Sequence, residues 1–205
     1  MKFTLAQIEE ARENPILSEG YKLTVERDED SHSSREDDNV TTMYCKHSRY
    51  NLGDHQIEEF YQSGDDEDTE INDEKSFKFW LEDICGEKIL AIRPLTLYDH
   101  SGLVMHIGVP QERWDSGMVG WIVVTEKQAN MIGITDRDEA SLVKIMEQEL
   151  KIYNQDLSGD VWGYMLEKGK KCDSCGHVEW EEVDSCWGFY DDESLLESIN
   201  NNLEE

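Results

Sequence analysis

Apolar positions along the chain change their spacing several times, and each change predicts an element. Thr4 followed by Ala6, Ile8 and Ala11 predicts a short capped helix, stopped at Asn14-Pro15 because a residue before proline disfavours helical geometry. Tyr21, Leu23 and Val25 alternate as one strand does. The stretch 26–39, ERDEDSHSSREDDN, has almost nothing to bury and reads as a mobile loop or linker. A short helix is expected at 57–62, then a second polar run at 64–74. Asp73 next caps an amphipathic helix that carries Phe77, Phe79, Trp80, Leu81 and Ile84.

From Ile89 the pattern turns to strands, first ILAIRPLTLYDHSG and then 118–125, MVGWIVVT, whose β-branched and aromatic content suits a buried strand. Between them, 110–117 reads as irregular. The longest helical signal is 136–153, where Leu142, Val143, Ile145, Met146, Leu150 and Tyr153 recur at three- and four-residue spacing behind Thr135 and an acidic first turn. Strands at 161–166 and 178–183 are expected to pair across a turn at 168–176, with 184–190 continuing and a terminal helix at 193–199. Strands and helices without repeated strand–helix units favour an α+β fold, a single mixed domain with a largely antiparallel sheet, flanking helices and acidic loops. Its expected divisions are an acidic extension at 1–39, a core at 40–192 and an acidic tail at 193–205.

Charge changes this picture most. Asp and Glu number 47 against 19 Lys and Arg, a formal charge of −28 over 205 residues. Residues 1–75 hold 8 basic and 21 acidic residues, 76–168 hold 9 and 15, and 169–205 hold 2 and 11, so the ends carry most of the excess. Such a surface repels nucleic acid and anionic membranes, yet attracts proteins built to bind polyanions. The bland alternative is a solvated surface. Charge fixed on helices around 57–83 and 191–205 would mimic a phosphate array better than charge on loops. Asp65, Asp66, Glu67, Asp68, Asp191, Asp192 and Glu193 are therefore the candidate partner-binding residues. With no membrane-length apolar run and no signal-peptide pattern at the N-terminus, the expectation is a soluble, cytoplasmic protein.

Five cysteines without an export signal read as thiols or metal ligands rather than a disulfide framework. The sharpest local signal is Cys172-Asp-Ser-Cys175-Gly-His177 followed by Cys186. Two Cys two residues apart on a tight turn can present both sulfurs to one tetrahedral zinc, with Cys186 returning on an adjacent strand and His177, Cys45, Cys85 or a carboxylate as fourth ligand. A reduced hairpin with ordinary thiols is the competing reading. A second constellation, Cys45, His47, Arg49, Asp54, His55, Asp99, His100 and Asp115, supplies an acid–base pair or metal ligands if the fold gathers it. Turn and network roles are the competing reading, since Asp, Ser and Gly in YDHSG and WDSG also make turns. Ser101 and Ser116 lack a G-x-S-x-G elbow, and no Gly-rich phosphate loop or dinucleotide fingerprint appears. Trp114, Trp121, Trp162, Trp180 and Trp187 have largely acidic neighbours, so core packing is favoured over stacking on single strands.

The segments MYCKHSRYNLGDH (43–55), PLTLYDHSG (94–102), WDSGMVGWIVV (114–124), YNQDLSGDVWGY (153–164) and DSCWGFYDD (184–192) resemble an uncharacterised family carried by bacteriophages, plasmids and integrative elements. The resemblance spans roughly 40–192 and departs where the family has glycine and this chain has Asp191, and in the enlarged acidic run 64–74. It implies a mobile-element protein and no particular reaction. Three functional expectations follow: a non-enzymatic protein that binds a host or element-encoded basic nucleic-acid-binding protein and inhibits a host defence protein, with DNA mimicry as one means; a metal-dependent hydrolase using His47, His55, Asp99, His100 and Asp115; or a self-assembling module built on the Trp-rich strands.

Overall fold

The computed structural model describes residues 2–57, 71, 73–110 and 115–203. Its elements begin with α1 (Leu5–Glu13), β1 (Ile16–Ser18), β2 (Tyr21–Arg27), a 3-10 turn (Ser34–Glu36), β3 (Thr42–Cys45) and β4 (His55–Gln56). Next come α2 (Glu74–Phe79), which runs on as a π-helical turn (Trp80–Ile84), then β5 (Ile89–Asp99), β6 (Leu103–Ile107) and β7 (Ser116–Thr125). The chain closes with α3 (Glu126–Ile132), α4 (Glu139–Ser158), β8 (Trp162–Lys171), β9 (Val178–Phe189) and α5 (Asp192–Asn201). The class is α+β, as the pattern predicts, and the strands form two mostly antiparallel sheets.

Contacts divide the chain into two compact units, one made of both ends (1–32 with 159–205) and one of the middle (33–158). The first unit joins both ends of the chain because β2 finds its partner in β8, with Tyr21 opposite Lys168 and Arg27 opposite Trp162. In this terminal unit the sheet order is β1-β2-β8-β9, antiparallel throughout. The inward face of β2, Tyr21, Leu23 and Val25, joins Tyr164 and Leu166 of β8 beneath Ile8 and Ala11 of α1 and Leu195 and Ile199 of α5. Both helices start as their sequences dictate: Thr4 and Gln7 form a capping box, and the Asp191 carboxylate accepts the Ser194 N–H at 2.7 Å.

The middle unit is a sheet of order β4-β3-β7-β5-β6, with β3 and β4 parallel. Leu142, Met146, Leu150 and Tyr153 of α4 cover one face, and Phe77, Trp80 and Leu81 cover the other. Strand β7 therefore sends Ile122 and Val124 to one layer and Trp121 and Val123 to the other, which explains the near-continuous apolar run at 118–125. Helix α4 starts at Glu139 and reaches Ser158 instead of spanning 136–153, since Asp136 turns back to accept the Asp138 N–H and the Ser141 hydroxyl. Helix α3 was not predicted; Thr125 caps it and Gly133, at φ 85°, ends it. Of the helix expected at 57–62 only Ile57 lies among the described residues, as do only Ile71, Asp73 and Glu74 of the acidic run.

The segment 26–39 is built into the fold, contrary to the mobile loop expected. The Asp28 N–H donates to the Val161 carbonyl at 2.9 Å, and the 3-10 turn drives Arg35 into the middle unit, its side chain 4 % exposed. Arg35 donates through Nε and Nη2 to the two oxygens of Asp54 at 2.9 and 2.8 Å, and through Nη1 to Glu149 at 3.1 Å. Glu149 also accepts the Val40 N–H, and Asp54 the Met43 N–H. Gly53, at φ +67°, makes the turn that delivers Asp54; a Cβ there would lie 2.7 Å from the Met43 carbonyl oxygen.

Candidate functional site

The His/Asp constellation is gathered only in part. A cleft of about 220 Å³ between the start of β7 and the segment after β3 is lined by His47, Arg49, Asp99 and Asp115, with Leu97 and Met118 as its apolar wall. His100 stands at its rim, its Nδ1 3.8 Å from Asp115, and both side chains are well exposed. The His47 ring stacks on Tyr50 at 4.9 Å, and its Nδ1 accepts the N–H groups of Arg49 and Tyr50 at 3.3 and 3.2 Å. That nitrogen is thereby the unprotonated one, and Nε2 carries the hydrogen. Asp99 is held by Arg49 at 2.5 Å and by the Tyr50 hydroxyl at 3.2 Å.

The arrangement is a hydrogen-bonded network in which His47 Nδ1 and the Asp99 carboxylate are both engaged. His55 lies elsewhere, 5.2 Å from the Tyr44 ring in a separate recess with Trp80, Cys85 and Lys127, and Asp54 belongs to Arg35. Among the described residues no three His, Cys, Asp or Glu are grouped to hold a metal ion.

The cysteines separate as well. Cys45 is fully buried beside Asp54, and burial pushes its thiol up to about 12, while Cys85 is exposed. Cys172 and Cys175 sit on the β8–β9 turn, which is closed by the Cys172 N–H on the His177 carbonyl at 2.7 Å and the Gly176 N–H on the Cys172 carbonyl at 2.9 Å. The Ser174 hydroxyl, then the backbone N–H groups of Cys175 and Ser174, point at the Cys172 sulfur and bring its thiol down to about 6. Cys186 does not return to this turn. It is in register with Tyr164, eight residues beyond Val178, and at the rise of an extended strand that is roughly 25 Å away. His177 does not join Cys172 and Cys175 into a set of three.

A separate surface feature lies on the terminal unit. At the end of β2 and just beyond it, Glu26, Arg27, Asp28, Glu29 and Asp30 line a groove of about 710 Å³ that Trp187, 44 % exposed, also lines. The groove is set by pairing: Glu26 stands opposite Gly163 in β8, and the Trp187 ring lies against Gly163, where a Cβ would come within 2.0 Å of it. The Asp30 N–H donates to Asp28 Oδ1 at 3.3 Å, so these carboxylates ride on a folded segment.

Of the acidic residues expected to bind a partner, Asp65, Asp66, Glu67 and Asp68 lie outside the described residues. Asp191 caps α5, Asp192 is paired with Arg12, and Glu193 faces solvent in the first turn. The groove residues escaped the sequence reading because 26–39 looked like solvated linker. Strand β9 carries Glu179, Glu181, Glu182 and Asp184 among apolar residues, and none of its twelve residues is buried. That mixture was the legible sign of an edge. Comparison of the chain with protein-family models, with curated proteins and with solved structures finds no match.

Proposed function

We propose that this is a non-enzymatic interaction protein of a phage or mobile element, which acts in the cytoplasm by occupying the nucleic-acid-binding surface of a basic host defence protein. The observation that carries the reading is the groove in which Glu26, Asp28, Glu29 and Asp30 face the exposed indole of Trp187. Carboxylates on a folded segment attract Lys and Arg, and an adjacent aromatic face adds a cation–π contact worth about 0.5–2 kcal/mol. The resemblance of 40–192 to a mobile-element family supports the biological setting. The hydrolase reading is weaker, since the His47 lone pair and Asp99 are already bound by groups of the chain itself.

The test uses a panel of purified basic nucleases and restriction complexes loaded with labelled duplex DNA. At least one is expected to lose its DNA competitively, with the effect falling steeply between about 50 and 300 mM salt. Displacement by none of them, or displacement indifferent to salt and to Glu26→Lys with Glu29→Lys, overturns the reading.

A zinc at the β8–β9 turn is a separate proposal, since a structural site takes four ligands and this turn supplies two of them. Two backbone N–H groups already aimed at the Cys172 sulfur stabilise the thiolate that zinc requires. Cys172 and Cys175 supply two donors, and Cys186 is too distant to be a third. Protein purified without added metal is expected to carry zinc that is lost in Cys172→Ser and in Cys175→Ser; zinc content unchanged by either substitution rejects the site.

A further inference from the structure

The β8–β9 turn overhangs the sheet that carries it. Pairing of β8 with β2 ends at Lys168 and Tyr21, whereas β8 and β9 run on together to Lys171 and Val178. Three further residues of β8 set the turn roughly 10 Å beyond the end of β2, at the rise of an extended strand. Every residue from Lys170 to Glu179 is exposed.

At this tip the chain prepares two metal donors and stops there. The Cys175 thiol is hydrogen-bonded to the Cys172 sulfur, so the two sulfurs reach one point. The Ser174 hydroxyl lies 3.1 Å from Cys172 Sγ, and the N–H groups of Ser174 and Cys175 are directed at the same atom. Such bonds orient a thiolate ligand from outside the metal's own shell. Gly176, at φ +74°, turns the chain away directly after Cys175, and its N–H closes the turn on the Cys172 carbonyl. Structural zinc takes four donors. Neither Asp173 nor His177 adds a third, since among the described residues no three His, Cys, Asp or Glu are grouped to hold a metal, and Cys186 lies far along β9.

Charge also sets the tip apart. Residues 168–177, KGKKCDSCGH, hold three lysines and one aspartate, a net +2 in a chain of −28. Lys170 is paired with Glu181, but Lys171 has no ion pair among the described residues, and its Cε lies beside Gly176 of the turn. A zinc held by four thiolates carries a net charge of −2, which one Lys171 from each of two chains offsets. With their thiols protonated, two such tips are both positive and repel one another.

We propose that Cys172 and Cys175 are half of a zinc site whose other half is the same two residues of a second copy, so that one zinc joins two chains tip to tip. A two-fold axis through the metal gives each chain the same role and makes four equal donors. Elsewhere the two acidic surfaces oppose association, so the metal rather than a broad interface holds the pair. Trp187 lies nine residues beyond Val178, roughly 30 Å along β9, so both acidic grooves stay open in the dimer and meet a partner bivalently. The inference rests on the zinc proposed for this turn and supplies its missing ligands.

The test strips the full chain of metal under reducing, oxygen-free conditions and titrates it with zinc, and in parallel with cobalt(II), while light scattering reads the mass. The mass is expected to double as zinc reaches one ion per two chains, and a chelator to restore the monomer. Cobalt is expected to show the absorption of a tetrahedral four-thiolate site. Cys172→Ser and Cys175→Ser should each abolish metal uptake and pairing together, while Cys186→Ser keeps both. One zinc bound per monomer overturns the shared site and leaves a zinc at the turn standing; no zinc bound removes both. A dimer that persists without metal, or that survives Cys172→Ser, also overturns the proposal.

Discussion

Arg35 shows how a single side chain reverses the reading of a segment. Thirteen of its neighbours in 26–39 have little to bury, and composition alone assigns them to solvent. A guanidinium that is 4 % exposed and shared by Asp54 and Glu149 ties the segment down. Removing one partner of such a set leaves the others charged and unpaired in a poorly solvated place. Arg35→Ala is expected to lower stability by about 3–5 kcal/mol in urea unfolding, and Arg35→Met combined with Asp54→Asn and Glu149→Gln to lose less than Arg35→Ala. A loss below about 1 kcal/mol for Arg35→Ala would show that water replaces the network. The cysteines make the same point by contrast: burial drives Cys45 up to about 12, and hydrogen bonds at an exposed turn bring Cys172 down to about 6. Sequence spacing made Cys172 and Cys175 visible as a pair and gave no means of telling that Cys186 lies far along a strand.

At the scale of elements, local periodicity was readable wherever one face is buried. Helices α1 and α5, the capped start of α2 and the buried stretch of β7 follow from spacing and caps that act within four residues. The β8–β9 hairpin was legible, but β9 extends to Phe189, and its two register shifts place Trp187 over Gly163 and Trp180 over Gly169. That pairing of indole and glycine is testable. Gly163→Ala is expected to cost about 1–3 kcal/mol and to shift tryptophan emission, because the new methyl occupies the indole's place. Gly117→Ala, with nothing within 4 Å of the added Cβ, is the control and is expected to stay within about 0.5 kcal/mol of the parent. Equal effects of the two changes would remove the packing argument. Of the His/Asp constellation, His47, Arg49, Asp99 and Asp115 line one cleft; what sequence could not tell was that His55 and Asp54 leave it for other neighbours.

For the whole molecule, the charge acquires a location. Read along the chain, the excess of acid is greatest in 1–75 and 169–205; by unit, the terminal one holds 7 basic and 21 acidic residues and the middle one 12 and 26, the same net charge, because 33–75 belongs to the middle. The middle unit is also the longer, so the terminal unit is the more densely charged. Among the described residues no helix is long and apolar enough to cross a membrane. The sequence by itself determined the α+β class, the positions of most helices and strands, the net charge and the paired thiols of the turn, because each depends on residues near one another in the chain or on composition. Tertiary structure alone decided that β2 pairs with β8, that Arg35 is buried, that Cys186 is remote from Cys172, and that the Glu26–Asp30 carboxylates face Trp187 across a groove. Those facts depend on contacts between residues far apart in sequence, whose pairing energy leaves no periodic trace in either segment alone.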